Sequence, residues 1–335
     1  MKYLLYTFAL LSIITWTDQP PVADPDTPVT DALRALGAPE RADLMVRQLE
    51  GVSAELGQRI VLEGELAGGG KQSAHFKCTS CHNVVREDPV LVDPDPLARL
   101  DYAAEQNLPF LPGTTLWGAV NRDTYYNGDY EKKYGDLVNA ARHDLRGAIQ
   151  LCATECAQGR ALDEVEMESV LAYLHTIGLR LRDLDLDQTG YGRINRAIQR
   201  GGDYNVNGLI RELKQKFLLA SPATFVLPPE DRKSGYPVAD TPDPTNGARI
   251  YDRACLHCHE DQRYSFFALA ETEHDYQFLT KHFPRYTRYS VYQVSRYGTS
   301  PIPGKRAYMP HYTAERMTDG QLEDLRAYLE EGSSK

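Results

Sequence analysis

Thiols and imidazoles carry the most distinctive spacing in this chain. Cys78-Thr-Ser-Cys81-His82 lies in the first half of the 335 residues, and Cys255-Leu-His-Cys258-His259 lies in the second. Two thiols three positions apart, with a histidine directly after them, can serve one porphyrin. The sulfurs add to its two vinyl groups, and the imidazole ligates its iron. The pattern therefore predicts two covalent haem c groups, each with its iron. Cys78, Cys81, His82, Cys255, Cys258 and His259 are the attachment residues, with His82 and His259 as proximal ligands. A zinc site would need further thiols or histidines at finger spacing. A redox-active Cys-x-x-Cys would need βαβ surroundings. Neither accompanies the motifs.

The elements that must hold these groups also repeat. Gly57-Gln-Arg-Ile60 precedes the first motif and Gly247-Ala-Arg-Ile250 the second. After each motif comes an amphipathic helix, with Met167, Val170, Leu171 and Leu174 on one face, and Leu322, Leu325, Tyr328 and Leu329 on the other helix's face. Thr318 stands where an N-cap belongs. Strand signals are weak throughout, so the fold class is all-α. The expected layout is a signal peptide or anchor over 1–20, a Pro/Asp-rich linker over 21–44 and a first domain over 45–181. An irregular linker with one helix near 207–219 follows over 182–241, and a second domain covers 242–335. Residues 1–15 combine a lysine with an apolar run of signal-peptide length, shorter than a membrane span. Export to the periplasm is expected, and an uncleaved segment would provide membrane attachment.

Both domains resemble class I cytochrome c domains. In that family the first and last helices cross at the glycine, which packs on an aromatic residue of the last helix. Gly57 with Tyr173, and Gly247 with Tyr328, match those positions. The resemblance also implies the sixth iron ligand of the second domain. Met309-Pro310, in the loop before the last helix, matches the family's axial methionine, with Met317 and His311 as spare candidates. The first domain has no Met-Pro there, and Met167 reads as core. It carries Leu151-Cys152-Ala-Thr-Glu-Cys156-Ala-Gln-Gly159-Arg160 instead, which resembles the thiosulfate dehydrogenase family of dihaem cytochromes. That resemblance implies Cys152 as an iron ligand. Two departures stand beside it: a long loop from Asn83 to Leu151 with Tyr125, Tyr126, Tyr130 and Tyr134, and the second thiol Cys156. A Cys152–Cys156 disulfide is the other reading, with His143 then the candidate ligand. Arg122, Arg142, Arg146 and Arg160 are candidates for holding an anionic substrate. Tyr286, Tyr289, Tyr292 and Tyr297 read as walls of the second haem.

The net charge of −10 disfavours nucleic acid, which binds clustered Lys and Arg. The leading expectation is an electron carrier serving redox partner proteins, a membrane electron-transfer complex among them. The alternative is an oxidoreductase like thiosulfate dehydrogenase with a Cys-ligated catalytic first haem.

Overall fold

The computed structural model describes residues 22–201, 205–300 and 308–334. The expected signal segment, 1–20, lies outside the described residues. Among those residues the fold is all-α; they hold isolated bridges but no strand. In chain order the helices are α1 (Val29–Ala35), α2 (Ala54–Glu63), α3 (Pro96–Glu105), α4 (Asp129–Tyr134), α5 (Asp136–Asn139), α6 (Leu145–Leu151) and α7 (Glu164–Thr176). Then come α8 (Gln188–Arg200), α9 (Val206–Lys214), α10 (Pro244–Ile250), α11 (His257–His259), α12 (Glu273–His282), α13 (Val291–Tyr297) and α14 (Asp319–Gly332). Wide π-type turns extend α6 through Cys156 and join α10 to α11.

Two helix pairs organise the two halves. In the first, the Ser53 hydroxyl caps α2 by accepting from Leu56 N, and Asp163 with Glu166 forms a capping box on α7. A Cβ on Gly57 would lie 1.9 Å from the Ser169 carbonyl oxygen and 2.9 Å from Tyr173 Cβ, so α2 and α7 touch backbone to backbone. In the second, Asp243 caps α10 and Thr318 forms a capping box with Gln321 on α14. A Cβ on Gly247 would lie 2.0 Å from the Asp324 carbonyl oxygen and 2.7 Å from Tyr328 Cβ. Around the first crossing Ile60, Val61, Val170, Leu171 and Leu174 form one core; Ile250, Tyr251, Leu322, Leu325 and Leu329 centre another. Each such apolar side chain contributes ~1.5–3 kcal/mol when fully buried.

A third core lies where linkers were expected. Segment 182–241 carries two helices, α8 and α9, rather than one in an irregular stretch. Asp187 caps α8 by accepting from Gly190 N, and Ile194 and Ala197 face inward. They pack with Leu209 and Leu213 of α9 and with Val29, Ala32 and Leu33 of α1 in the Pro/Asp-rich segment. Gly190 and Gly192 lower helix propensity, but the apolar face and the cap prevail.

The long stretch after His82 joins the halves. Its Leu100 and Phe110 belong to the second core, and Phe110 stacks on Tyr312, whose hydroxyl donates to the Phe110 carbonyl at 2.8 Å. Arg316 answers from the other side. Its guanidinium meets Glu87 at 2.6 Å and donates to the carbonyls of Leu111 and Gly113. No helix among the described residues is long and apolar enough to cross a membrane.

Candidate functional site

His82 is where the first site starts. Its Nδ1 lies 2.7 Å from the Thr114 carbonyl oxygen, so the ring donates from Nδ1 and leaves Nε2 as the free lone pair. This is the second-shell bond that orients a ligating histidine. Burial holds the imidazole below its ordinary pKa, in the neutral form that binds iron. The ring packs so closely on Gly113 that a Cβ there would lie 2.6 Å from it. Sequence reasoning passed over Gly113 and Thr114. The Pro112-Gly113 pair, a turn signal, was the available clue.

Cys78, Cys81 and His82 line a cavity with an empty volume of about 1760 Å³, part of it open to solvent. Ile60, Val61, Leu116, Val170 and Leu174 supply apolar walls, and Tyr125, Tyr126 and Tyr130 form an aromatic side. Cys152 and Cys156 face the same space, placed there by the π-type turn. Gln72 straps that turn down, donating to the carbonyls of Ala153 at 3.0 Å and Arg160 at 2.8 Å. A Cβ on Gly159 would lie 2.2 Å from the Gln72 amide nitrogen, so glycine is what permits the strap. Both thiols are free. Cys152 and Cys156 share a hydrogen bond that, with burial, lifts the Cys152 thiol far above its ordinary range. The same bond, aided by one from Tyr308, holds Cys156 below its own. Two thiols, an imidazole with a free Nε2 and a largely apolar cavity form a donor set that fits a covalent haem, and Cys152 and Cys156 line the same cavity.

Among the candidate arginines only Arg122 lines this cavity. Its guanidinium donates to the Thr115 carbonyl at 2.9 Å. The others are committed elsewhere: Arg142 to Glu131, Arg146 to Glu168 and nearby carbonyls, Arg160 to Glu166. They hold the fold together and do not face the site. His143 is exposed and outside the cavity wall, and Met167 is buried in the first core.

The second motif is packed differently. His259 is buried, its ring 4.4 Å from that of Phe267, with Nδ1 3.4 Å from the Phe267 carbonyl oxygen. Burial pushes the Cys255 and Cys258 thiols each up to about 12. Met309 is half-buried, and its backbone pairs with Thr299 in both directions. Its neighbours turn elsewhere: Tyr308, Pro310 and His311 line the first cavity, as do Thr313 and Arg316. Met317 is a core residue of the second half. Tyr286, Tyr289 and Tyr297 are exposed, whereas Tyr292 is buried, its hydroxyl bonded to Glu323 at 2.6 Å.

The two motifs touch. Cys258 Sγ lies 3.9 Å from the Ser80 carbonyl oxygen, and after burial the nearby Cys258 helps to raise the Cys81 thiol above its ordinary range. Among the described residues no group of three or more His, Cys, Asp or Glu could hold a bare metal ion. The cysteine pairs thus lack the extra ligands a tetrahedral zinc site requires.

Residues 242–329 match the family model described as cytochrome C oxidase, cbb3-type, subunit III. The second half therefore carries a c-type cytochrome domain, which implies covalent haem c and electron transfer. No curated protein and no solved structure matches the chain.

Proposed function

We propose that the protein is an exported dihaem cytochrome that passes electrons between redox partners through one covalent haem in each half. When bound, each haem supplies a one-electron ferric/ferrous couple. The observation that carries the reading is the contact between the two attachment turns, Cys258 Sγ against the Ser80 carbonyl oxygen at 3.9 Å. Sulfurs at that contact are the points where both porphyrin edges would be tied, which keeps the path between them short. His82 and His259 would ligate iron as neutral imidazoles, and Met309 remains the candidate sixth ligand of the second half. A thioether there would raise that potential and suit an exit relay. The partners would be redox proteins of the periplasm or of a membrane electron-transfer complex.

A second reading has its own support. Cys152 shares a cavity with His82, and Arg122 stands in the same wall. A thiolate ligand lowers the haem potential, and a guanidinium can hold an oxyanion by charge-assisted bonds. This favours an oxidoreductase like thiosulfate dehydrogenase, with the first haem catalytic.

Pyridine haemochrome analysis of the purified full chain should give two haems per protein. Low-temperature EPR of its ferric form decides the rest. A narrow His/thiolate signal that disappears in Cys152→Ser supports the enzyme, and thiosulfate is then the first substrate to try. His/Met or His/His signals alone leave the carrier. A single haem per chain would overturn the dihaem proposal.

A further inference from the structure

His311 and Thr313 belong to the second half but face the first cavity. They are 4% and 3% exposed, and neither His311 Nε2 nor Thr313 Oγ1 has a hydrogen-bond partner. Buried polar atoms left unpaired cost ~1–3 kcal/mol each, so native proteins supply a partner. The imidazole is not free to turn toward another one. It sits edge-on to Phe225 with ring centres 4.3 Å apart and is flanked by Tyr130 at 5.7 Å. Two unpartnered polar atoms are thus carried by residues that line one cavity.

The surroundings indicate the partner's charge. Arg122 and Arg316 line the same cavity, and Lys133 Nζ lies 5.4 Å over the Phe225 ring that touches His311. Glu87, the buried acid nearby, is already engaged by Arg316, Thr115 N and Asn83. With Arg316 and Glu87 neutralising each other, the uncompensated charge nearby is that of Arg122 and Lys133, and unpartnered polar atoms beside it suit an anion. The cavity is a poor place for a cation, and a hydroxyl beside a guanidinium is a poor set of iron ligands.

We infer that segment 310–316 builds, inside the first cavity, a site for one anionic oxygen group, with His311 Nε2 and Thr313 Oγ1 as its donors. The inference deepens the dihaem reading and rests on it. The site is incomplete without the second half, so the two halves would share one pocket. Its occupant has carboxylate-like or oxyanion chemistry, from either of two sources: a propionate of the first haem, or a small oxyanion entering through the open side.

The test uses the full-length holoprotein with Thr313→Val, which keeps the side-chain shape, and His311→Phe, which keeps a ring. Two quantities are read: the first haem's reduction equilibrium, by EPR-monitored redox titration, and the optical response to sulfate, which is redox-inert. If the occupant is a propionate, each variant disfavours reduction of the first haem about tenfold, or about 59 mV for one electron. The second haem does not move, and sulfate has no effect. If it is a free oxyanion, sulfate shifts the wild-type spectrum saturably, and both variants weaken that binding about tenfold. Either result supports the site. No change in potential together with no sulfate response would overturn it, leaving ordered water as the partner. A low-spin to high-spin change in His311→Phe, with Thr313→Val silent, would also overturn it, making His311 an iron ligand. Failure of the dihaem reading is told apart by the haem count: Cys78→Ala/Cys81→Ala would leave it unchanged, and the inference would go with it.

Discussion

In the first half His82 stands on the wall of a cavity that also receives Cys152, Cys156 and three tyrosines of the same half. In the second, His259 is pressed against Phe267, and the surrounding aromatics form a closed core. Both halves are built on a similar helix crossing and the same Cys-x-x-Cys-His spacing, although the first motif opens in a 3-10 turn and the second continues α10 through a π-type turn. What separates them is the material between the turn and the last helix. The first half spends 81 residues (83–163) there, the second 59 (260–318). Those of the first half build α3, which plugs into the other half, and the tyrosine wall. The second half sends its corresponding loop away, so that Tyr308, His311 and Arg316 finish the first cavity. A shared frame thus carries a cavity beside the first motif and a packed aromatic core beside the second.

The largest effects should come from breaking the shared frame. Gly57→Ala and Gly247→Ala each drive a Cβ to within 2.0 Å of a carbonyl oxygen. Each should cost more than the ~1–3 kcal/mol typical of an added methylene in a packed core. Thermal unfolding with haem quantification checks this. A melting temperature unchanged in one variant alone would show that the two crossings are not equivalent.

The seam between the halves comes next. Arg316 and Glu87 are both buried, and Arg316→Met leaves the carboxylate with one neutral donor side chain, Asn83, and the Thr115 amide. Breaking such a pair costs ~3–5 kcal/mol. Burial would raise the Glu87 pKa, but the Arg316 guanidinium overrides it and holds the group at about 2, against an ordinary 4.5. A depressed pKa stabilises the fold fully above pH 4.5, and the contribution fades as pH falls toward 2. The shift corresponds to a stabilisation on the order of 3 kcal/mol. Urea titrations across pH 2–6 should show that slope in the wild type and a flattened one in Arg316→Met. Identical slopes would assign the acid sensitivity elsewhere.

A smaller, one-sided effect is expected at Gly113. Its missing Cβ makes room for the His82 ring, and Thr114 beside it accepts the Nδ1 proton. Gly113→Ala should tilt that imidazole, costing ~1–3 kcal/mol and altering the ferric EPR signal of the first haem alone. A change in both haem signals would mean that the two turns are mechanically coupled through Ser80 and Cys258.

Much of the frame was legible in the sequence because it depends on local rules. The cap at Thr318, the apolar stripes of α7 and α14, and the glycines at each crossing all have short-range signals. Helix α8 was hidden by Gly190 and Gly192, whose propensity cost is outweighed by burial against α1, a partner 160 residues away. The candidate site divides along the same line. Each Cys-x-x-Cys-His turn announces itself, whereas Arg142, Arg146 and Arg160 read as anion binders until Glu131, Glu168 and Glu166 appear beside them. That Tyr308, His311 and Arg316 complete the other half's cavity has no sequence signature. It follows from how α3 and Phe110 dock.

The finest test of that exchange is Tyr308→Phe. The Tyr308 hydroxyl, from the second half, hydrogen-bonds Cys156 in the first and helps hold its thiol below the ordinary range, second to the bond with Cys152. Removing one hydroxyl should cost only ~0.5–1.5 kcal/mol of stability. Its sharper consequence is electrostatic. Without the donor the Cys156 thiolate loses a stabilising bond, so its titration moves to higher pH and its alkylation at neutral pH slows. Alkylation by iodoacetamide across pH, with mass-spectrometric assignment to Cys156, measures the displacement in the folded holoprotein. A profile that does not move would mean that Cys152 alone sets the Cys156 proton. The contribution of the second half to the first cavity would then be confined to His311, Thr313 and Arg316.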